Sequence, residues 1–228
     1  MAIAFDVSSK IAAAATATPA SWSHTCTGSN RALIVTLENK LGTENITAVT
    51  YAGAAMTKLT GASRLDTTNL INLSYWTLLN PATGANTISV TWTVTTQRLL
   101  GLAVSFTGVA SIEASANAAG TNSGGVPQPA TSVTTLANNA WTIGAAAVND
   151  NTPLAAGTSQ TLATQFNDTV SPFHTVVLDY RGPVTPAAST TNNFTGTVSG
   201  DSWLAGVASL APSVTSTDHN LTLLGIGS

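Results

Sequence analysis

The strongest candidate for nucleophilic chemistry in this sequence is the triplet Gly200-Asp201-Ser202. A serine becomes a nucleophile when a histidine accepts its proton, and the chain offers His24, His174 and His219. Short matches of this kind arise by chance in a chain rich in serine and glycine, and Asp and Ser are favoured in turns. We therefore interpret the triplet as a turn before a strand, and we predict no catalytic residue and no enzyme activity.

Metal and thiol chemistry has two candidate sites. Trp22, His24 and Cys26 alternate, which places them on one face of a predicted strand, but one His and one Cys are too few for a structural zinc site. We interpret these residues as core or interface. Asp150 and Asp168 carry the oxygen ligands that calcium prefers, but neither has the spacing of a calcium loop, and solvated turns explain them equally well. The sequence predicts neither a metal nor a cofactor.

Carbohydrate chemistry would need paired carboxylates for hydrolysis or exposed aromatic rings for binding. No such carboxylate pair is recognisable among the 10 acidic residues. Of the five tryptophans, Trp92 and Trp203 lie in strongly alternating segments and are predicted to fill the core. Trp22 and Trp76 are predicted to be the least buried, which makes them the candidates for contact with a partner or a glycan.

Charged residues are scarce in this chain. Asp, Glu, Lys and Arg make up 7% of it, against roughly 25% in an ordinary soluble domain, so hydroxyls and amides must cover the surface. The net charge of -3 argues against nucleic acid, and no apolar run is long enough to cross a membrane. The N-terminus enters a strand pattern without the features of a signal peptide, so we expect synthesis in a host cytoplasm.

Alternation of apolar and hydroxyl residues predicts strands along the whole chain. Residues 31–37 form a nearly continuous apolar run, as expected for a central strand covered on both faces. A tight hairpin is predicted around Gly53. One strand should direct four side chains into the core, namely Ile88, Val90, Trp92 and Val94. The fold class predicted is all-β, an antiparallel two-sheet sandwich of jelly-roll type with long loops.

The predicted domain organisation is a single β-sandwich over residues 1–213, followed by a C-terminal strand or arm over residues 214–228. Residues 110–132 and 181–193 are predicted as long connections. Such connections are uncommon inside a compact domain and are functional or disordered. Two interpretations stay open for them: a flexible surface loop, or an extended arm that orders against a neighbouring subunit.

Several framework segments carry a resemblance to a known module. They are residues 23–35 (SHTCTGSNRALIV), 46–57 (ITAVTYAGAAMT), 75–84 (YWTLLNPATG) and 88–92 (ISVTW). Together they resemble a β-sandwich module of tailed-phage virion structural proteins, which also occurs in bacterial extracellular multidomain proteins. The resemblance covers the first half of the chain. Because the matched segments are strands and turns, it implies architecture and transfers no functional residue.

The favoured hypothesis is a virion structural protein of a bacteriophage, specifically a capsid decoration or cement protein. It would stabilise the particle by multivalent adhesion of many copies to the assembled lattice. The expected partners are other virion proteins, such as the major capsid protein, and further copies of the chain in a homo-oligomer. The expected location is the virion.

The alternative hypothesis is a carbohydrate- or receptor-binding module of a phage tail or a bacterial surface protein. It would bind neutral glycans through exposed aromatic rings and through loops rich in Asn and Thr. Neither hypothesis involves nucleic acid or a membrane.

Overall fold

The computed structural model describes residues 1–93, 98–121, 128–171, 173–196 and 202–214. These residues form an all-β protein of antiparallel sheets, so the predicted all-β class is confirmed. The described residues include no helix with the length and apolar character that a membrane span requires.

Ten strands of the first half lie within residues 4–107. Their bounds are β1 (Ala4–Lys10), β2 (Ala20–Cys26), β3 (Ala32–Asn39), β4 (Ile46–Tyr51), β5 (Ala54–Ala55), β6 (Thr57–Lys58), β7 (Arg64–Asp66), β8 (Ile71–Leu79), β9 (Gly84–Trp92) and β10 (Leu99–Thr107). The first inner sheet has the order β1-β10-β3-β8-β6, with β7 also paired to β8. The first outer sheet has the order β2-β9-β4-β5.

Eight strands of the second half lie within residues 109–212. Their bounds are β11 (Val109–Thr121), β12 (Ala130–Thr134), β13 (Ala140–Val148), β14 (Ala155–Ala156), β15 (Thr161–Asp168), β16 (His174–Val184), β17 (Ser189–Thr195) and β18 (Ser202–Pro212). The second inner sheet has the order β11-β18-β13-β16-β15, and the second outer sheet has the order β12-β17-β14.

The two halves arrange their strands in the same order. In each inner sheet the first strand of the half pairs with the last, which pairs with the third. In each outer sheet the second strand pairs with the next-to-last, which pairs with the fourth. The described residues thus form four sheets where the sequence predicted two. The jelly-roll subtype and a single domain over residues 1–213 stay predictions, and residues 215–228 lie outside the described residues.

The four sheets stack in the order first outer, first inner, second inner, second outer. One apolar core lies between the first two sheets and includes Trp22 and Val35. A central core joins the two inner sheets and includes Ile34 and Val176, and a smaller third core includes Val177. Neighbouring residues of a strand point to opposite faces, so each inner sheet contributes to two cores.

Three local predictions from the sequence are confirmed. The apolar run at residues 31–37 falls largely within β3, which is buried along its whole length. Ala52 and Gly53 connect β4 to β5 with φ angles of 51° and 80°, the left-handed conformation that a tight hairpin needs. The side chains predicted to share a buried face of β9 do so, namely Ile88, Val90 and Trp92; Val94 lies outside the described residues.

The prediction of two long connections is wrong for most of their length. Strand β11 occupies residues 109–121 and pairs with β18, while residues 122–127 lie outside the described residues. Strands β16 and β17 leave only residues 185–188 between them. Strand β11 is rich in Ala, Ser, Asn and Gly, which have no strong strand preference, so its sequence alone resembles a loop.

Candidate functional site

Four charged or ionisable side chains meet at one end of the contact between the two inner sheets. We call Glu38, Arg98, Asp168 and His174 the buried charge cluster. The Nδ1 atom of His174 lies 2.6 Å from Oε2 of Glu38, and its Nε2 atom lies 3.8 Å from Oδ2 of Asp168. Arg98 donates from Nη2 to Oδ1 of Asp168 over 2.8 Å, and its Nε atom contacts the other carboxylate oxygen. Each half of the chain supplies two members of the cluster.

Glu38 and His174 lie at a distance that allows them to share a proton. Burial raises the pKa of Glu38, and the neighbouring His174 only partly offsets this effect. Burial also disfavours charge on His174, but the carboxylates of Glu38 and Asp168 outweigh it, so the pKa of His174 is raised. Lys40 acts weakly against both shifts. Both directions mean that the folded protein holds this proton more tightly than the unfolded chain does.

The acidic and imidazole groups of the buried charge cluster are shielded from solvent, while the Arg98 side chain is 23% exposed. Glu38 and His174 are fully buried and Asp168 is 2% exposed, so a solute cannot reach the groups that would act as acid or base. Within the described part of the chain, Oε1 of Glu38 and Nε2 of His174 have no hydrogen-bond partner. The arrangement can hold a proton and join two sheets, and it does not form an open catalytic centre.

Sequence reasoning missed this cluster, although one signal was present. Glu38 ends the apolar run of β3 at a position that continues the buried face of Ile34. A carboxylate at such a position needs a partner inside the protein. The sequence does not identify His174 as this partner, because 136 residues separate them.

A second carboxylate, Asp6, connects three segments of the first half, and we call this arrangement a brace. It lies at an irregularity in the pairing of β1 with β10, between Phe5 and Val7. Its Oδ2 atom accepts hydrogen bonds from the backbone N–H of Thr27 and from the hydroxyl of Ser105, each over 2.8 Å. Burial opposes ionisation, but the hydrogen bonds from the Thr27 hydroxyl, the Thr27 backbone and Ser105 prevail and lower the pKa of Asp6. Asp6 therefore ties the loop after β2 to the first and last strands of its half.

The second half repeats this brace with a different acid. Glu113 lies at an irregularity in the pairing of β11 with β18. It accepts hydrogen bonds from the backbone N–H groups of Leu136 and Ala137 over 2.8 and 3.0 Å, and from the hydroxyl of Ser209 over 2.8 Å. Again a carboxylate of the first strand holds the loop after the second strand and a serine of the last strand.

A buried polar network lies beside the third apolar core, between the second inner and second outer sheets. Oδ1 of Asp179 accepts from the N–H of Gly144 over 3.0 Å and from Nδ2 of Asn192 over 2.9 Å, and Gln160 donates to Oδ2. Thr142 donates to Asn192 over 2.8 Å. Burial raises the pKa of Asp179 to about 6, although hydrogen bonds from Asn192 and Gln160 oppose this shift.

The two tryptophans proposed as partner or glycan contacts are buried. Trp22 and Trp76 are each 8% exposed and belong to the core between the first outer and first inner sheets. Their indole N–H groups donate to Ser9 over 3.1 Å and to Ser74 over 3.2 Å. The expectation that they are the least buried tryptophans is therefore wrong, and Trp203 is in fact less buried than either. Their role as contact residues stays a prediction that this burial does not favour.

The alternating residues of β2 lie in the core, as the sequence predicted. The burial of β2 alternates, with Trp22, His24 and Cys26 all on the buried face. Burial lowers the pKa of His24 to about 4, so its imidazole is neutral at pH 7. Burial also raises the pKa of the Cys26 thiol, which makes it a poor nucleophile.

The remaining candidates do not assemble into a reactive or metal-binding centre. Ser202 is 7% exposed, while its neighbours Gly200 and Asp201 lie outside the described residues. Asp150 accepts a hydrogen bond from Thr152 in its own turn, and Asp168 is bound by Arg98. In the described ranges no group of three or more His, Cys, Asp or Glu side chains could hold a metal ion.

A groove of about 560 Å³ opens at the end of the molecule where the described chain starts and finishes. It is lined by residues from both halves, among them Ile3, Trp141, Pro183 and Pro212. The polar side chains in its wall are neutral, being two asparagines and a serine. The groove therefore presents apolar surface without a side chain that could act as a general acid or base.

The acidic residues share one property. The chain has ten, of which Asp201 and Asp218 lie outside the described residues. Each of the other eight accepts a hydrogen bond or forms an ion pair within the protein, namely Asp6, Glu38, Glu44, Asp66, Glu113, Asp150, Asp168 and Asp179. These carboxylates hold strands, turns and loops in place.

Comparison with known proteins adds no relative: no family model, no curated protein and no solved structure matches this chain.

Proposed function

We propose that this chain is a virion structural protein, a capsid decoration protein that stabilises the particle through multivalent adhesion. It would be made in the host cytoplasm and would reside on the virion. Its partners would be the major capsid protein and other copies of the chain. The proposal starts from the resemblance of residues 23–35, 46–57, 75–84 and 88–92 to virion β-sandwich modules.

The observation that carries the proposal is that the described carboxylates are bound by donors of the protein itself. An enzyme that relies on acid–base chemistry needs an ionisable group that a substrate can reach. Here all eight described acidic side chains are engaged by the protein's own donors, and His24 and His174 are buried. This favours a structural role over catalysis.

The outer surfaces of the stack suit adhesion between neutral faces. The exposed faces of the two outer sheets are rich in hydroxyls, which dock with little cost of removing water when they find partners. Those of the first outer sheet are Ser21, Ser23, Thr25, Thr47, Thr87 and Thr91, and those of the second are Ser132, Thr134, Ser189 and Thr191. Many weak contacts of this kind add up when copies bind a symmetric lattice.

The glycan- or receptor-binding alternative has no specific observation in its favour. Sugar binding uses exposed aromatic faces, and both tryptophans that the sequence offered for this purpose are in the core. We therefore carry forward only the decoration hypothesis.

The first test measures the protein composition of the particles. Particles released by cells that make this chain would be banded in a density gradient, and the chain would be quantified against the major capsid protein by mass spectrometry. We expect a fixed stoichiometric ratio. Particles made without the chain should release their genome at a lower temperature, and purified folded chain should restore the original temperature. Absence of the chain from the particles would overturn the proposal.

The second test locates the adhesive face. Ser23 and Thr87 are cross-strand neighbours on the first outer sheet, and Ser132 and Thr191 are cross-strand neighbours on the second. Replacing either pair with lysines places two adjacent charges on one face only. We expect one double variant to lose at least about tenfold in particle binding, because unpaired charges are costly to dehydrate. The other double variant is its matched control, and equal binding by both would contradict adhesion through these faces.

A further inference from the structure

The buried charge cluster bridges the two halves of the chain. Glu38 and Arg98 come from the first inner sheet or its edge, and Asp168 and His174 come from the second. Elsewhere the contact between these sheets is an apolar core, with Ile34 on one side and Val176 on the other. The cluster thus adds buried ionisable groups to an interface that is mainly apolar and is also joined by hydrogen bonds from Ser8, Lys10 and Tyr75.

The imidazole of His174 faces a carboxylate at each of its nitrogens. Nδ1 lies 2.6 Å from Glu38 and Nε2 lies 3.8 Å from Asp168. The 3.8 Å contact is too long for a hydrogen bond, so Asp168 acts on the ring through its negative charge, while Nδ1 is within hydrogen-bond distance of Glu38. Carboxylates on both sides of the ring favour the positively charged imidazolium over the neutral form.

The charges of the cluster balance only when this proton is present. With an imidazolium, two carboxylates and the Arg98 guanidinium, the net charge is zero. Loss of the proton leaves one uncompensated negative charge in a buried site, which is strongly unfavourable. Lys40 is the further charged group that acts on both Glu38 and His174, from the loop after β3. Its positive charge does not replace the imidazolium, because it lies outside the hydrogen-bonded cluster.

We propose that the buried charge cluster is a proton-dependent latch, which holds the two halves together while Glu38 and His174 share a proton and weakens when that proton leaves. The raised pKa of His174 sets the direction in which stability changes with pH. Its stabilising contribution is complete below the ordinary histidine value of 6.5 and is lost as the pH rises through the raised value. The raised pKa of Glu38 acts in the same direction. This inference does not depend on the proposed virion function.

Urea unfolding of the full chain between pH 6 and pH 9 tests the latch. We expect the unfolding equilibrium constant of the original protein to rise at least about tenfold over this range. In the double variant Glu38→Gln/His174→Gln the constant should change less than about threefold, because both titrating groups are gone. His24→Gln is the matched control, since it also removes a buried histidine, and it should keep the pH dependence of the original protein. An equally steep dependence in the double variant would overturn the proposal.

An NMR titration covers the case in which the double variant does not fold. In a His219→Gln protein only two imidazoles remain, and the pKa of His24 is about 4. We expect the other imidazole to stay charged above pH 6.5 and to lose its proton at a lower pH when Glu38 is replaced by Gln. A protein in which neither imidazole is charged at pH 6.5 would overturn the latch.

Hydrogen exchange shows whether the effect lies between the halves. After correction for the intrinsic pH dependence, exchange in β3 and β16 should accelerate above pH 8 more than exchange in β12 and β17. The second pair of strands belongs to the second outer sheet, away from the latch. Uniform acceleration in all four strands would contradict a local latch.

Discussion

The two halves of this protein share a strand order, but they fill the space between their inner and outer sheets with different chemistry. Ser105 pairs with Leu33 in the first half, and Ser209 pairs with Thr142 in the second. When β3 and β13 are aligned on these two pairs, Trp76 of β8 and Asp179 of β16 lie at corresponding positions of the two inner sheets.

In the first half, aromatic side chains fill this position. Trp76 and Trp22 pack in its core, and Gly101 leaves room for the indole of Trp22, since a Cβ there would lie 2.8 Å from that ring. The second half uses hydrogen bonds. A Cβ on Gly144 would lie 2.4 Å from Asp179, so this glycine makes room for a carboxylate.

The difference shows that this topology accepts either an apolar or a polar filling. Apolar burial acts through area and is indifferent to pH. A buried hydrogen-bonded network is directional, and each member depends on the others. We therefore expect the apolar filling of the first half to affect stability mainly through its volume. The polar filling of the second half should affect stability through both substitution and pH.

The largest expected effect is the loss of ring volume in the first half. Trp76→Ala should lower the free energy of unfolding by about 3–5 kcal/mol, because it removes a buried aromatic side chain and leaves a cavity. Urea unfolding at pH 7 measures this loss. Trp203→Ala is the matched control in the second inner sheet, where the ring is only partly buried, and it should cost clearly less. Equal losses would contradict the contrast between the two fillings.

The next effect is the pH dependence that Asp179 adds to the polar network of the second half. Burial raises the pKa of Asp179 from 3.8 to about 6, so the folded protein keeps a proton that the unfolded chain releases. The lowered pKa of His24 makes stability rise with pH over part of this range, whereas the contribution of Asp179 to stability should fall by about 3 kcal/mol as the pH rises from below 3.8 to above 6. Asp179→Asn should remove this part of the dependence, as measured by urea unfolding from pH 3.5 to 7.

The corresponding position in the first half supplies the control for this experiment. Trp76→Phe changes packing and introduces no ionisable group, so it should lower stability by a similar amount at every pH. If Asp179→Asn kept the full slope of the original protein between pH 4 and pH 6, the polar network would not be its source.

The strands themselves were largely predictable from the sequence. Period-two alternation placed Trp22, His24 and Cys26 on one face of β2, and the continuous apolar run predicted that β3 is covered on both sides. These features depend on neighbours along the chain, which a sequence displays directly. The β4–β5 hairpin was predictable for the same reason, since Gly53 supplies its positive φ angle.

The features that depend on distant residues were not predictable. The sequence offers no pattern that pairs Glu38 with His174 or that reveals two halves of the same strand order. Burial of Trp76 also depends on how sheets stack, because β8 is buried on both faces. Strand β11 was mistaken for a loop because alanine and glycine mask its alternation. Long-range pairing, and not local propensity, determines all four features.

The smallest expected effect concerns the two braces, where the halves agree. Asp6→Asn and Glu113→Gln should each cost about 1–2 kcal/mol, because each weakens hydrogen bonds to backbone donors at a loop. Double-mutant cycles with Ser105→Ala and Ser209→Ala measure the coupling of each acid to its serine. Similar coupling energies would show that the two halves share this device despite their different cores. The low pKa of Asp6 adds a pH signature, since its contribution is present above 3.8 and should be lost as the pH falls through its lowered value. A coupling near zero in one half would show that its carboxylate holds the loop without the serine.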